Sequence, residues 1–188
     1  MTMDATPPPA PVRANTFYSN LGLIPFALAH FLPFLAYFTG VTTTALWLFF
    51  VLFFVRQWAV TAGYHRYFAH KAFETSRVFQ FILAFLAQAT AQKGVLWWAG
   101  HHRAHHQYSD REGDLHSALR DGFYHSHMGW LFNGTEETDW DRIKDFAKFP
   151  ELVWLDTFGF VPPVLTGVLS WFIAGWSGGW FSFFGSTV

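Results

Sequence analysis

WWAGHHRAHHQYSD, residues Trp97 to Asp110, places four of the chain's ten histidines within six residues, directly after an apolar run. Two readings compete for so much imidazole beside so much hydrocarbon. One is a solvated polar loop. The other is a metal site, because neutral imidazole is the commonest side-chain ligand for iron, zinc and copper. Taken as a helix at 100° per residue, the stretch puts His102, His105 and His106 within a 100° arc. His101, His102 and His105 fit an arc of the same width, so helix geometry does not choose between the sets.

A second cluster lies upstream in HRYFAH, with His65 and His70 five residues apart. On an ideal α-helix that spacing leaves the two rings about 140° apart. They meet at one site if the helix unwinds there, or each serves a different metal of a pair. Both clusters follow hydrophobic helices, and ionisable groups at a membrane boundary mark function.

The composition narrows the chemistry. Of 188 residues, 52% are apolar and 21% aromatic, with 24 Phe and 10 Trp, while charged residues fall to 13% against about 25% in soluble domains. That profile suits a chain solvated partly by lipid. A net charge of −1 gives no footprint for nucleic acid. The absence of cysteine excludes disulfides and thiolate-ligated iron. Neither the Glu-x-x-His pattern of soluble di-iron bundles nor H-E-x-x-H occurs. A metal held here rests almost wholly on histidine.

The pattern along the chain reads as an all-α integral membrane protein. Residues 1–16 are proline-rich and read as a disordered tail, ahead of a membrane domain over 17–188. Leu21–Phe38 and Ala45–Val60 read as a transmembrane hairpin around the uncharged turn Thr39–Thr44, with Arg56 snorkelling from the second span. Residues 61–151 hold ten of the twelve Lys and Arg. The positive-inside rule places this region and the N-terminus in the cytoplasm. Within it, Val78–Ala99 reads as one long helix in the membrane interface, and Asp141–Phe149 as a solvated amphipathic helix. Leu152–Trp176, broken by Pro162 and Pro163, contains a third span at about 157–176. An incomplete fourth follows.

The segments TAGYHRYFAH, WWAGHHRAHHQYSD, DLHS and FYHSHMGW together resemble the membrane fatty acyl desaturases, most closely the bacterial branch of the stearoyl-CoA Δ9 type. The resemblance is dense from Arg56 to Trp130. It assigns His65 and His70 to the family's first box, H-x-x-x-x-H, and His102, His105 and His106 to its second, H-x-x-H-H, with His101 a neighbour. It implies two iron ions that use O2 and electrons from cytochrome b5 or a ferredoxin to remove two hydrogens from a long-chain fatty acyl substrate. It also implies a bacterial inner-membrane setting if the source is bacterial, and places Gln92 and Trp98 near the bend of the acyl tunnel. His116, His125 and His127 fall outside the ligand boxes and read as supporting groups. His30 reads as a packed residue.

The family's third histidine box has no counterpart, since His127 is the last histidine. The chain therefore reads as the N-terminal part of a desaturase, with five of the expected ligands. Gly100 and His101 stand where animal acyl-CoA enzymes carry charged residues, which leaves acyl-lipid and acyl-carrier substrates open. Two other readings are a histidine-box hydroxylase of alkanes or lipids and a non-catalytic remnant.

Overall fold

A computed structural model describes residues 30–130 and 137–187. The N-terminal tail and most of the expected first span lie outside the described residues. Among the described residues every regular element is helical. They form two units, one built from Ile24–Arg103 and Thr138–Val188, the other from Ala104–Glu137.

In the larger unit a 3-10 turn, Leu32–Leu35, leads into α1, Ala36–Thr39. α1 ends at Gly40, whose φ of +74° is open to glycine at no steric cost. Thr42 then caps α2, Thr43–Ala59, accepting the Ala45 N–H at 3.1 Å. α2 passes without interruption into a π-helix, Val60–Ala69. Thr43–Ala69 as a whole is long and apolar enough to cross a membrane. One flank carries exposed Trp47, Phe50, Val51, Phe54 and Trp58, while Phe49 stacks inward on Phe53 and Phe181.

Arg56 departs from the expected snorkelling. It is 2% exposed, and its Nη1 donates at 2.8 Å to both the Phe183 carbonyl and Ser186 Oγ. The cation sits at the C-terminal end of a packed helix, where unsatisfied carbonyls attract positive charge. That local partner outcompetes the route to a distant interface.

The partner is α8, Val161–Gly185. Pro162 and Pro163 begin this helix rather than breaking it, because the first turn has no N–H to lose. The break falls before them: α7, Pro150–Thr157, meets Val161–Trp176 at a 70° bend, and the pair makes a second candidate span if counted as one. At Gly175 (φ +71°, ψ −175°) α8 leaves helical geometry and doubles back. Gly179 lies against the backbone of Trp171, and Gly167 against the ring of Phe183. The returning arm packs on α2 through Gly178 against Ala45 and through Ser182, which donates to the Ala45 carbonyl at 2.8 Å.

The expected single helix Val78–Ala99 is two. α3, Arg77–Gln88, is capped by Ser76. α4, Val95–Tyr108, follows a turn in which Ala91 and Lys93 take positive φ. The split is stabilised by polar groups that a hydropathy pattern does not weigh. Asp156 of α7 accepts the Leu96 and Trp97 N–H groups at 2.8 and 2.9 Å, while Thr138 donates to its other oxygen. Gln88 accepts the Val95 N–H at 3.0 Å and donates to the Leu155 carbonyl at 2.9 Å. Three donors at the start of α4 are thus satisfied in a buried setting, and the Asp156 charge complements the helix N-terminus. Packing around this junction supplies the core: Phe68, Leu83, Val95, Leu96, Ile143, Leu152 and Leu155 are all fully buried.

The Asp156 carboxylate lies so close to Gly94 that a Cβ there would overlap it. Gly94→Ala should therefore destabilise the fold by about 1–3 kcal/mol through overpacking. Asp156→Ala should cost about 2 kcal/mol or more, from the lost cap and the stranded amides. Thermal unfolding of the detergent-purified variants measures both, and a melting temperature equal to wild type in either would contradict this account of the α3–α4 junction.

Candidate metal centre

The π-helix answers the question that the five-residue spacing raises. In an i→i+5 repeat each residue sits nearly above the fifth before it. The His70 N–H donates to the His65 carbonyl at 3.0 Å, so the two rings share a face. Their centroids are 4.5 Å apart. The π-helix is held at this pitch from its buried side: Tyr64 donates to the Lys93 carbonyl at 2.7 Å and Tyr67 to Gln80 Oε1 at 2.9 Å.

α4 brings His102 to this pair. His102 lies 4.9 Å from His65 and 5.6 Å from His70 between ring centroids. One ring nitrogen from each of the three lies within 4.8 Å of the others. Two nitrogens bound to one metal, each at about 2.1 Å, are no more than about 4.2 Å apart, so small side-chain rotations convert the cluster into a ligand set. Imidazole suits iron, zinc, copper and nickel, and the residues present fit a metal of this class.

The doubled pattern WW–HH makes two parallel stacks one helical turn long. Trp97 stacks on His101 at 4.0 Å and Trp98 on His102 at 4.5 Å. The stacks separate the two histidines that periodicity left interchangeable. His101 directs Nδ1 to the Trp97 carbonyl at 2.8 Å, and burial holds its pKa below the usual imidazole value against that bond. Trp98 is clamped between His102 and Tyr64, whose ring lies 4.9 Å away. Gln92 sits exposed in the turn before α4.

The distance between the two boxes is set by Arg103, a residue that the sequence reading passed over although it lies inside the second box. Its Nε donates to the Ala69 carbonyl at 3.1 Å and its Nη2 to the Phe68 carbonyl at 2.6 Å, at the end of the π-helix. Nη1 donates to the Arg142 carbonyl at 2.6 Å, and Nη1 and Nη2 grip the two Asp145 oxygens at 2.9 and 3.0 Å. A guanidinium has five N–H donors, and these contacts employ all five. Asp145 belongs to α6, Lys144–Ala147, in the segment expected to be merely solvated. Instead Ile143 and Phe146 are buried there and Asp145 is shared as ion-pair partner by Arg103 and Lys71. Burial acts to raise the Asp145 pKa, but hydrogen bonds and charge from Arg103 and Lys71 outweigh it and hold the carboxyl below its ordinary value.

In the smaller unit, which carries α5, Ala118–Tyr124, a second group forms around His105. One ligand atom each from His105, Asp114 and His116 lies within 4.8 Å of the others. His105 Nδ1 is 2.8 Å from Asp114 Oδ1, and the His116 ring stacks on the His105 ring at 4.1 Å. Burial lowers the His116 pKa, aided by the nearby His105 charge. His106 is exposed, one turn beyond His102 along α4. His125 Nε2 lies 3.3 Å from the Leu115 carbonyl, and His127 stacks on Phe123.

A carboxyl whose folded-state pKa is depressed contributes stability above its unfolded value, near 4, and loses it as pH falls through the folded value. Melting curves of the wild type should therefore drop below about pH 4. Asp145→Asn should be less stable at neutral pH but lose less on acidification. Arg103→Lys, with three donors for five acceptors, should weaken Fe(II) binding by about tenfold or more, read by anaerobic titration. Unchanged affinity would show that the histidines hold their spacing without the guanidinium.

No family model matches the chain. Curated relatives do. It is 32% identical over 120 residues to an sn-1 stearoyl-lipid 9-desaturase of Anabaena variabilis, covering 63% of this chain and 44% of that one. It is 35% identical over 144 residues to a hex-5-enoyl-[acyl-carrier protein] acetylenase of Moorena producens, covering 62% and 44%. An acyl-CoA Delta(11) desaturase of Trichoplusia ni is 34% identical over 128 residues, covering 66% and 36%. The chain thus spans less than half the length of these relatives. Over the matched part it is similar to acyl-lipid and acyl-CoA desaturases.

Proposed function

We propose that the protein acts in the O2-dependent desaturation of a long-chain fatty acyl substrate at a histidine-held di-iron centre embedded at a membrane surface. The observation that carries the reading is the convergence of His65, His70 and His102, from two separate helices, on one point. Similarity to desaturases supports the reaction class. His65, His70, His102, His105 and His106 are the ligands proposed from this chain, and the bound irons would supply O2 activation. Electrons would come from cytochrome b5 or a ferredoxin. A stearoyl-lipid 9-desaturase among the relatives favours the Δ9 position and a lipid-linked acyl group; an acyl-CoA and an acyl-carrier substrate are the other forms the relatives' names suggest.

The chain's own residues have definable tasks in that reaction. An unactivated C–H bond requires a dry slot and a grip that fixes which carbon meets the oxidant. Trp98, rigid between Tyr64 and His102, is suited to form one wall of that slot beside the metal. Gln92 is proposed at its approach. Length supports the proposed membrane setting: about 20 residues cross the hydrocarbon core, and Thr43–Ala69 has 27. If the span begins at Thr43, His65 and His70 emerge just beyond the core, on the side proposed to be cytoplasmic with residues 61–151. Residues 17–188 would then form one membrane-embedded domain, with the bent pair α7–α8 as the next crossing.

The test is product mass. Membranes expressing the protein from its gene are supplied with a deuterated saturated acyl chain, and the products are analysed by mass spectrometry. Loss of two deuterons supports desaturation; a gain of one oxygen identifies a hydroxylase instead. His102→Ala should abolish the product while leaving the protein in the membrane fraction. Product formation undiminished in that variant would refute the proposed metal centre.

A further inference from the structure

Three features of the larger unit fall short as sites. Arg56 keeps Nε and Nη2 buried without a partner, but no described cavity opens on it. A small cavity of about 50 Å³ lined by apolar side chains and Thr39, whose hydroxyl donates to the Leu35 carbonyl, offers no charged grip. The exposed aromatic flanks of α2 and α8 are accounted for by lipid. The smaller unit carries more.

Asp114 has a fully buried side chain beside half-exposed neighbours. Its two oxygens are occupied from three directions. Oδ1 accepts from His105 Nδ1 at 2.8 Å and from the His116 N–H at 3.2 Å, while Oδ2 accepts the Asp110 N–H at 2.9 Å. Asp110 is itself held by Ser117, whose hydroxyl donates to it at 2.7 Å. Both oxygens thus act as acceptors of backbone N–H groups, the role of a carboxylate. An ionised carboxylate only accepts, so the His105 contact requires a proton on Nδ1. The lone pair of the neutral ring then resides on Nε2. The other ring face is covered by His116, stacked at 4.1 Å and 23°, with Trp130 5.1 Å behind it. Both the tautomer and the plane of His105 are therefore fixed before any metal arrives.

We infer that Asp114 is a positioning residue that locks His105 as an Nε2 metal ligand, with His116 as the brace that holds the ring plane. The inference rests on the proposed metal centre for its purpose but on the Asp114–His105 geometry for its content. It gives a function to the stretch DREGDLHS, which lies outside the histidine boxes. It also separates the two histidines: His105 ligates through Nε2, whereas His116 serves His105 and not the metal. Carboxylates in this relation to a ligating imidazole raise its basicity and remove the entropy of ring rotation on binding.

The experiment has two arms. In the metal-free protein, selectively labelled with 15N-histidine and assigned with His105→Gln, NMR reads the His105 tautomer at a pH where the ring is neutral. Nδ1–H is expected in the wild type, the Nε2–H form in Asp114→Ala, and Nδ1–H again in Asp114→Asn, whose amide oxygen still accepts. Anaerobic Fe(II) titration should show affinity reduced about 10–100-fold in Asp114→Ala and largely restored in Asp114→Asn. His116→Ala should keep the tautomer and lose affinity to a smaller extent. A tautomer unchanged in Asp114→Ala, or equal Fe(II) losses in the Ala and Asn variants, overturns the inference. A wild type that responds as expected in both arms but forms no acyl product overturns the desaturase reading alone.

Discussion

The larger unit turns on a guanidinium with five donors and five acceptors. Arg103 joins the end of the π-helix, the start of α6 and its own helix α4 through contacts of 2.6–3.1 Å. The net gain from such a partly buried pair is modest, because desolvating the charges offsets much of their attraction. Its removal is another matter. Without Arg103 the Phe68, Ala69 and Arg142 carbonyls and the Asp145 carboxylate would need new donors in a crowded place, and stranded acceptors cost far more than the bonds return. The arrangement therefore acts as a specification of distance: it leaves α4 and the π-helix one workable separation, the one at which His102 faces His65 and His70.

A second constraint works along the chain rather than across it. An α-helix that carried His65 and His70 would point them apart, and a loop would leave them mobile. The π-helix gives both rings one face while pairing backbone groups along the chain, as in the His70 N–H to His65 carbonyl bond. Its wider turn is not intrinsically favoured, so it depends on outside support from Tyr64, Tyr67 and the Arg103 contacts at its last two carbonyls. Site geometry and tertiary packing are here the same interactions.

How far the sequence revealed this can be argued residue by residue. Apolar length exposed α2, because that feature is local. The density of histidine pointed to a candidate metal site, and His65, His70 and His102 do lie together. The α3–α4 break, the reversal of α8 at Gly175 and the inward turn of Arg56 were not legible. Each depends on partners far along the chain: Asp156 for Leu96 and Trp97, Trp171 for Gly179, Phe183 and Ser186 for Arg56. One signal was available. Asp156 is a lone carboxylate in the apolar run LVWLDTFGF, and a charge in such company has a specific partner or a function. Its partner is the N-terminus of the histidine-bearing helix.

That placement has a consequence for how the centre is insulated. α4 is held at its N-terminus by Asp156 from the bent α7–α8 pair and near its middle by Arg103, so the segment between, LWWAGHH, is fixed at both ends. Within it Trp97 and Trp98 can hold their stacks on His101 and His102 only if the helix neither frays nor rotates. A ring clamped between Tyr64 and His102 excludes water from one side of the histidine cluster without offering it a hydrogen-bond donor. The polar anchors thus lie away from the ring faces that border the cluster, and the apolar aromatic surface lies against them. That division sets a group of polar imidazoles beside an apolar aromatic surface.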